Sequence, residues 1–178
     1  EPNITTNLAG AGREGVGLYA PLRVGTRLYI NLPDGRRAAF IFQPVAEQHG
    51  GVVTYRPAWT PEAGVEYALE TSLAALEQVG DEFYQLGTGL PYNPASGRFR
   101  GFAYTLTPPS GRRYGYAADQ RLRQITDLGL TLVCSDSGSI APNGDHIGFQ
   151  WDRDGRLTTV TAPDGRQIVY RYDAAGDL

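Results

Sequence analysis

Apolar and polar residues alternate along the C-terminal part of the chain, between stretches of turn-forming residues. In the stretch QIVYRY, the side chains of Ile168, Tyr170 and Tyr172 fall on one side of an extended strand, because successive side chains of a strand point to opposite faces. Turn residues flank it at Pro163–Arg166 and Asp173–Gly176, where Pro presets φ and Gly accepts a positive φ. The pattern predicts a strand, Gln167–Tyr172, between two turns.

This arrangement returns at a fixed distance. Gly155 and Gly176 lie 21 residues apart, and so do Gly144 and Gly165. A constant period of this size is typical of repeat proteins, whose units become stable by covering one another. Each unit is therefore predicted to contain a turn, a strand, a second turn and a second strand.

Paired aromatic residues follow the turn glycines at the fifth and seventh positions. The matching sets are Gly35 with Phe40 and Phe42, Gly144 with Phe149 and Trp151, Gly165 with Tyr170 and Tyr172, and, with less repeat-like flanks, Gly97 with Phe102 and Tyr104. A shorter copy has Tyr114 and Tyr116 after Gly111. We expect these rings to form ladders across neighbouring strands, where each pair contributes about 0.2–1 kcal/mol.

The N-terminal half predicts further hairpins, after a glycine-rich extended segment at residues 1–17. The predicted strands are Arg27–Leu32, Arg37–Gln43, Val52–Tyr55 and residues 81–87. Residues 66–78 could form either strands or a helix. Leu69, Leu73 and Leu76 have near-helical spacing and helix-forming neighbours. Strands on both sides favour β hairpins, and a short helix is the alternative.

Leu157 and Val160 are an odd number of positions apart, so a regular strand cannot point both side chains to the same face. Either a β-bulge or a sheet buried on both faces would resolve the conflict.

Composition excludes several classes of protein. The net charge of −3 attracts neither nucleic acid nor an anionic membrane surface. The single cysteine, Cys134, cannot form an internal disulfide, and its strand-like surroundings predict a structural thiol. No apolar run is long enough to span a membrane, and there is no signal peptide. Because the chain begins at Glu1, we expect it to be part of a larger protein.

Candidate catalytic and ligand-binding residues have weak support, and we predict no catalytic, cofactor-binding or metal site. Ser135, Asp136 and His146 could form a triad, but no motif fixes their geometry, and His49 adjoins a Gly-Gly turn. The glycine-rich residues 10–17 lack the remainder of a phosphate-binding loop. Asn143–Asp145 and Asp152–Gly155 resemble calcium ligands, yet turn chemistry explains them.

Three further aromatic residues, Trp59, Tyr92 and Tyr104, are expected in the sheet core. If they were exposed, they could form a platform on which sugar rings stack. A carbohydrate-binding module is therefore the alternative function.

The C-terminal stretch DRDGRLTTVTAPDGRQIVYRYDAAGDL resembles the YD repeat of Rhs-type proteins. The matching residues are Gly155-Arg156-Leu157, Asp164-Gly165 and Tyr170-Arg171-Tyr172-Asp173. The last copy keeps Gly176 but has Asp177 where the family usually has Arg. The resemblance is tight over residues 139–178 and looser over 104–138.

The resemblance implies an all-β fold of successive antiparallel hairpins that add strand by strand into a coiling sheet, the start of a YD-repeat shell. Such shells enclose a toxic domain in some members, and other members are large surface or secreted bacterial proteins. The expectation is a structural, non-enzymatic, extracellular scaffold fragment with two regions, a β-rich leading and capping region at 1–103 and a YD-repeat hairpin region at 104–178. Its expected partners are further YD repeats of the same chain or, alternatively, a carbohydrate or cell-surface partner, with no cofactor, nucleic acid or membrane span.

The residues expected to carry the repeat motif combine turn formers with the apolar side chains of the strands. They are Gly144, Phe149, Trp151, Asp152, Gly155, Arg156, Leu157, Gly165, Tyr170, Tyr172, Asp173 and Gly176.

Overall fold

The chain is all-β in a computed structural model that describes residues 5–6 and 19–178. Antiparallel strands joined by tight turns make up the described residues, with one 3-10 turn at Pro94–Ser96. The predicted fold class is confirmed. Two compact units divide the chain at Leu122/Arg123. Apart from Thr5 and Thr6, the extended segment predicted at 1–17 lies outside the described residues.

The first unit contains eleven strands among the described residues. They are β1 (Thr5–Thr6), β2 (Arg27–Asn31), β3 (Arg37–Phe42), β4 (Val45–His49), β5 (Val52–Arg56), β6 (Trp59–Pro61), β7 (Ala68–Thr71), β8 (Leu76–Val79), β9 (Glu82–Gln85), β10 (Tyr104–Thr107) and β11 (Arg113–Tyr116). The neighbour order is β1-β2-β3-β6 in one sheet, β4-β5-β8-β9 in another, and β7-β10-β11 in a third set of strands. The predicted hairpins at Arg27 and Arg37 and the strand at Val52 are present to within one residue.

An aromatic core fills the first unit. The ring of Phe42 contacts Trp59, Phe83 and Tyr92 at centroid distances of 5.1, 5.6 and 6.1 Å. The buried polar atoms form a chain: the Trp59 indole donates to Thr71 Oγ1 at 3.0 Å, Thr71 lies 3.0 Å from the Tyr92 hydroxyl, and that hydroxyl donates to the Ser72 carbonyl at 2.7 Å. The core therefore buries its aromatic residues without leaving these donors unpaired.

Residues 66–78 contain β7 and most of β8, with a loop between the two strands, so the helical alternative is wrong. Within β7, the side chains of Leu69 and Thr71 are buried while Ala68 and Glu70 are exposed, which is the period of a strand. In β7, Leu69 pairs with Leu106 of β10, and in β8, Leu76 pairs with Tyr55 and Gln85. A helix this short is marginal by itself, and pairing with strands distant in sequence outweighs local propensity.

The second unit is an antiparallel meander whose strands follow one another in sequence order. Its strands are β12 (Leu122–Asp127, beginning at the unit boundary), β13 (Leu130–Ser135), β14 (Gly138–Ile140), β15 (His146–Trp151), β16 (Leu157–Thr161) and β17 (Gln167–Val169). The structure describes every residue from 123 to 178, and among them only Gly138 is buried. This unit is therefore a sheet with both faces open to solvent.

In the second unit, the aromatic pairs of successive repeats do not stack directly on one another, which corrects the predicted ladder there. In the first unit, Tyr104 of β10 is directly opposite Tyr116 of β11, as the ladder predicts. Phe149 and Trp151 lie on β15, whereas Tyr170 and Tyr172 follow β17, and β16 runs between them. Phe149 is opposite Val160, and Val160 is opposite Ile168. Because each 21-residue unit contains two strands, aromatic residues return on every second strand, and aliphatic residues occupy the strand between.

A β-bulge resolves the parity conflict in β16. Gln150 pairs with Thr159, but Trp151 pairs with Leu157, which leaves Thr158 as the extra residue. The Thr158 hydroxyl donates to the Gln150 carbonyl at 3.1 Å. Leu157 is therefore paired with Trp151 and Val160 with Phe149, on the same face of the sheet.

The structural boundary at 122/123 differs from the predicted division at 103/104. The strands β10 and β11, which the sequence assigns to the repeat region, lie in the first compact unit. The compact units are defined by packing, whereas the predicted division is defined by the repeat pattern. The boundary at 103/104 therefore stays a prediction.

Candidate functional site: the repeat turns and the Arg156 cluster

Six turns of the described chain close with the same pair of backbone hydrogen bonds. In Ala162–Arg166, the Ala162 N–H donates to Arg166 O at 2.8 Å and the Gly165 N–H donates to Ala162 O at 2.9 Å. The other five turns are Leu32–Arg36, Ala117–Arg121, Ala141–Asp145, Asp152–Arg156 and Asp173–Asp177. One local structure thus recurs from the first predicted hairpin to the last repeat.

Aspartate or asparagine side chains stabilise these turns by accepting from the backbone. Asp164 Oδ1 accepts from the Arg166 N–H at 3.1 Å, an Asx-type contact that competes with regular structure and favours turns. Asp152 stands at the first position of its turn and accepts from both Asp154 and Arg156. Asp173 makes the same two contacts with Ala175 and Asp177.

The fourth residue of each turn has a positive φ. Gly165 lies at +83°, and a Cβ added there would meet nothing within 4 Å, so glycine is needed at this position only for its backbone freedom. The turn Ala117–Arg121 departs from the pattern because Gln120 occupies this position at φ +68°. Without a glycine, this turn gave no sequence signal of the kind that marks the others, and sequence reasoning missed it.

Replacing Gln120 with glycine is expected to stabilise the first unit by about 0.5–1 kcal/mol, because relief of the left-handed strain exceeds the added freedom of the unfolded chain. Urea unfolding measures the change. The reciprocal variant Gly35→Gln, in a turn with the same hydrogen bonds, should lose a similar amount, about 0.5–1 kcal/mol. Destabilisation by Gln120→Gly would contradict the shared turn geometry.

Arg156 joins two successive repeats. Its Nε donates to Asp152 Oδ2 and its Nη2 to Asp154 Oδ2, both at 2.8 Å. The guanidinium carbon lies 5.0 Å from the centre of the Tyr172 ring, a cation–π distance. A Cβ at Gly176 would lie 3.2 Å from Arg156 Nη1. The turn after β15 and the turn after β17 are thereby held together at the 21-residue period.

The Tyr172 hydroxyl completes this Arg156 cluster by donating to the Leu157 carbonyl at 2.8 Å. The cluster therefore contains a turn carboxylate, the arginine that follows it, and the tyrosine of the next unit. Hydrogen bonds from the Arg156 backbone, and then from its side chain, lower the pKa of Asp152 below its ordinary value. The cluster is charged and intact at neutral pH, and protonation of Asp152 at acid pH would weaken it.

The structure brings together five of the predicted motif residues and distributes the others over the sheet. The five are Asp152, Arg156, Leu157, Tyr172 and Gly176. Gly144, Gly155, Gly165 and Asp173 lie in the other turn positions, and Phe149, Trp151 and Tyr170 lie on the strands or directly after them. The sequence missed Asp154 and Gly138, whose roles depend on neighbours in space.

The residues considered for catalysis are not assembled into a triad. The Ser135 hydroxyl donates to the Gly138 carbonyl at 3.1 Å and lies 3.0 Å from the Ser137 hydroxyl. Asp136 instead lies 3.7 Å from Arg123. Burial raises the pKa of the Cys134 thiol, which disfavours the reactive thiolate. The glycine-rich residues 10–17 lie outside the described residues.

No group of three or more ligand-type side chains that could hold a metal ion occurs in the part of the chain that the structure describes. Over the same residues, no helix has the length and apolar character to cross a membrane.

The aromatic residues on which the carbohydrate alternative depended are inside the core. Trp59, Tyr92 and Tyr104 are all buried, and burial raises the pKa of both tyrosines. The expectation that they line the core is correct, and the proposed sugar-stacking platform is absent at these three positions.

Together, the sheets and the recurring turns define an all-β protein of antiparallel hairpins with a repeat at its C-terminal end. Residues 151–178 match the family model for the RHS Repeat. The resemblance to Rhs/YD-repeat proteins predicted from the sequence is confirmed over these residues. No curated protein matches the chain.

Proposed function

We propose that this chain is a non-enzymatic β-sheet scaffold that grows by the addition of hairpins at β17. It would be part of a large bacterial Rhs-type protein that acts at the cell surface, outside the cell, or around a toxin. Its partners would be further YD repeats of the same protein. The observation that carries the proposal is the Arg156 cluster, which connects one repeat to the next through a turn and a tyrosine 16 residues apart.

The outer edge of β17 supports growth at this end. The Ala162 N–H donates to Arg166 O and the Tyr170 N–H donates to Thr158 O, so the even-numbered residues of this strand bond to β16. In an antiparallel pair, the alternate backbone groups point away from the neighbour. The amides of Gln167 and Val169 therefore face outward, and within the described chain β17 pairs with β16 alone. Such an edge is a template for another strand.

The last turn also supports growth, because it copies the turn that precedes it by one repeat. Asp173–Asp177 has the backbone bonds and the carboxylate contacts of Asp152–Arg156. It differs in having Asp177 where the earlier turn has Arg156. A further repeat that restores an arginine at this position would reproduce the cluster.

Duplicating residues 156–176 directly after Gly176 tests the proposal, because the duplication adds one repeat and places the arginine at position 177. The inserted hairpin should cover β17. Hydrogen exchange at the Gln167 and Val169 amides should then slow at least tenfold, about 1.4 kcal/mol of added protection. NMR of the labelled protein measures both amides.

The matched control is the same duplication with the inserted copy of Tyr172 changed to Ala. It should give less protection, because it cannot stack on the new arginine. If the exchange rates of both amides were the same in the parent and in the duplicated chain, the scaffold proposal would be wrong.

A further inference from the structure

The second unit has one apolar face, defined by the strand register. The face carries Ile125, Leu130, Leu132, Ile147, Phe149, Trp151, Leu157, Val160, Ala162, Ile168 and Tyr170, which share a side by cross-strand pairing and alternation. The opposite face presents Gln, Thr and His side chains beside Val133, Ile140 and Val169. We call the first of these the apolar face.

The apolar face is uncovered. Leu130, Ile147, Trp151 and Ile168 are 65, 39, 50 and 58% exposed, and no side chain on the face is buried. A sheet needs its apolar face covered for stability. Contiguous apolar patches beyond a few hundred Å² are rare on monomers and mark interaction sites.

From this geometry we infer that the apolar face is a docking surface for a second copy of the chain, in a face-to-face pair related by a two-fold axis. Taking about 150–250 Å² for a large side chain, the range for aromatic residues, the open fractions of Leu130, Ile147, Trp151 and Ile168 alone sum to roughly 300–500 Å², and the partly exposed residues of the face add to this area. A standard interface buries about 800 Å² per partner. The face thus has nearly the area that a stable dimer needs, and it has the aromatic content of an interface core.

The charges on this face suit a partner that is identical. Its charged strand residues are Arg123, which also lies 3.7 Å from Asp136 of its own chain, and Asp127. The two have opposite signs and stand toward the two ends of β12. A two-fold axis that runs the two β12 strands antiparallel brings each arginine near the aspartate of the other copy. A self-complementary surface of this kind is what an isologous interface requires. The inference concerns a face of the sheet, so it goes beyond growth at the edge.

Sedimentation equilibrium of the purified chain tests the inference, with a dimer expected at a dissociation constant in the micromolar range. Ile168→Asp should weaken the dimer at least tenfold. Val169→Asp is the matched control, because Val169 is the next residue, is 59% exposed and faces the other side. It should change the dissociation constant less than twofold. A monomer at all concentrations, or equal weakening by both variants, would overturn the inference, and equal weakening would indicate pairing at the β17 edge.

Tryptophan quenching provides a second readout that needs no variant. The chain has two tryptophans, of which Trp59 is buried and Trp151 is half exposed on the apolar face. Acrylamide quenching should fall at least twofold as the protein concentration rises through the dissociation constant. Quenching that is independent of concentration would contradict a face-to-face dimer. The scaffold proposal is tested separately, by hydrogen exchange of the Gln167 and Val169 amides in the duplicated chain. A failure of the dimer inference would therefore not contradict it.

Discussion

Gly138→Ala is expected to unfold the hairpin of β14 and β15, at a cost of more than about 4 kcal/mol, because a large loss follows when backbone strain and a buried clash coincide. Gly138 has φ +145°, and an added Cβ would lie 1.9 Å from the Ile147 carbonyl oxygen and 3.0 Å from its carbon. Those are backbone atoms, which cannot rotate away as a side chain could. The second unit has no other buried residue to compensate.

Thermal unfolding followed by circular dichroism measures the loss, and hydrogen exchange locates it. The Phe149 amide donates to Ser137 O at 2.8 Å across this contact, so its protection should disappear. Gly144→Ala is the control: Gly144 also has a positive φ, +89°, but nothing lies within 4 Å of an added Cβ. That variant should lose only about 1–2 kcal/mol from strain. Equal losses in the two variants would show that the close approach at Gly138 has no energetic weight.

Phe42→Ala is expected to destabilise the first unit by about 3–5 kcal/mol, because truncating a buried phenylalanine loses transfer free energy and leaves a cavity. Phe42 is fully buried, and its ring contacts the rings of Trp59, Phe83 and Tyr92. The cavity would lie beside the hydrogen-bonded chain of Trp59, Thr71 and Tyr92, which limits how far the core can collapse.

Urea unfolding followed by tryptophan fluorescence measures this loss. Phe42→Leu keeps most of the volume and should lose no more than about 1.5 kcal/mol, while Leu73→Ala removes a side chain that is 79% exposed and should change stability by less than about 0.5 kcal/mol. If Phe42→Ala cost as little as Leu73→Ala, Phe42 would not be at the centre of the core.

Local turn chemistry is the part of this fold that the sequence predicts well. The turn at Pro163–Arg166 and the one at Asp173–Gly176 form where their glycines and aspartates indicate, because the determinants lie within five residues. The predicted strand after the first of these turns extends to Tyr172. In the structure β17 ends at Val169, and the Tyr170 amide still bonds to Thr158.

Pairings between distant residues could not be predicted. Local composition at Leu69 favours a helix, and only the pairing with Leu106, 37 residues later, identifies a strand. The Arg156 cluster was missed for the same reason: the sequence marks Arg156 and Tyr172 as motif residues, but their contact arises only when β16 and β17 pair. At Gly138 the requirement for glycine comes from the carbonyl of Ile147, on another strand.

Because every 21 residues form two strands, the number of repeats determines the width of the sheet. Each unit widens the sheet by two interstrand spacings, about 9.5 Å in all, since neighbouring strands lie about 4.7–4.9 Å apart. Width therefore rises linearly with the number of residues, at roughly 0.45 Å per residue. Gene duplication or deletion of whole units would widen or narrow the sheet in fixed steps, without any change in the sequence of the remaining repeats.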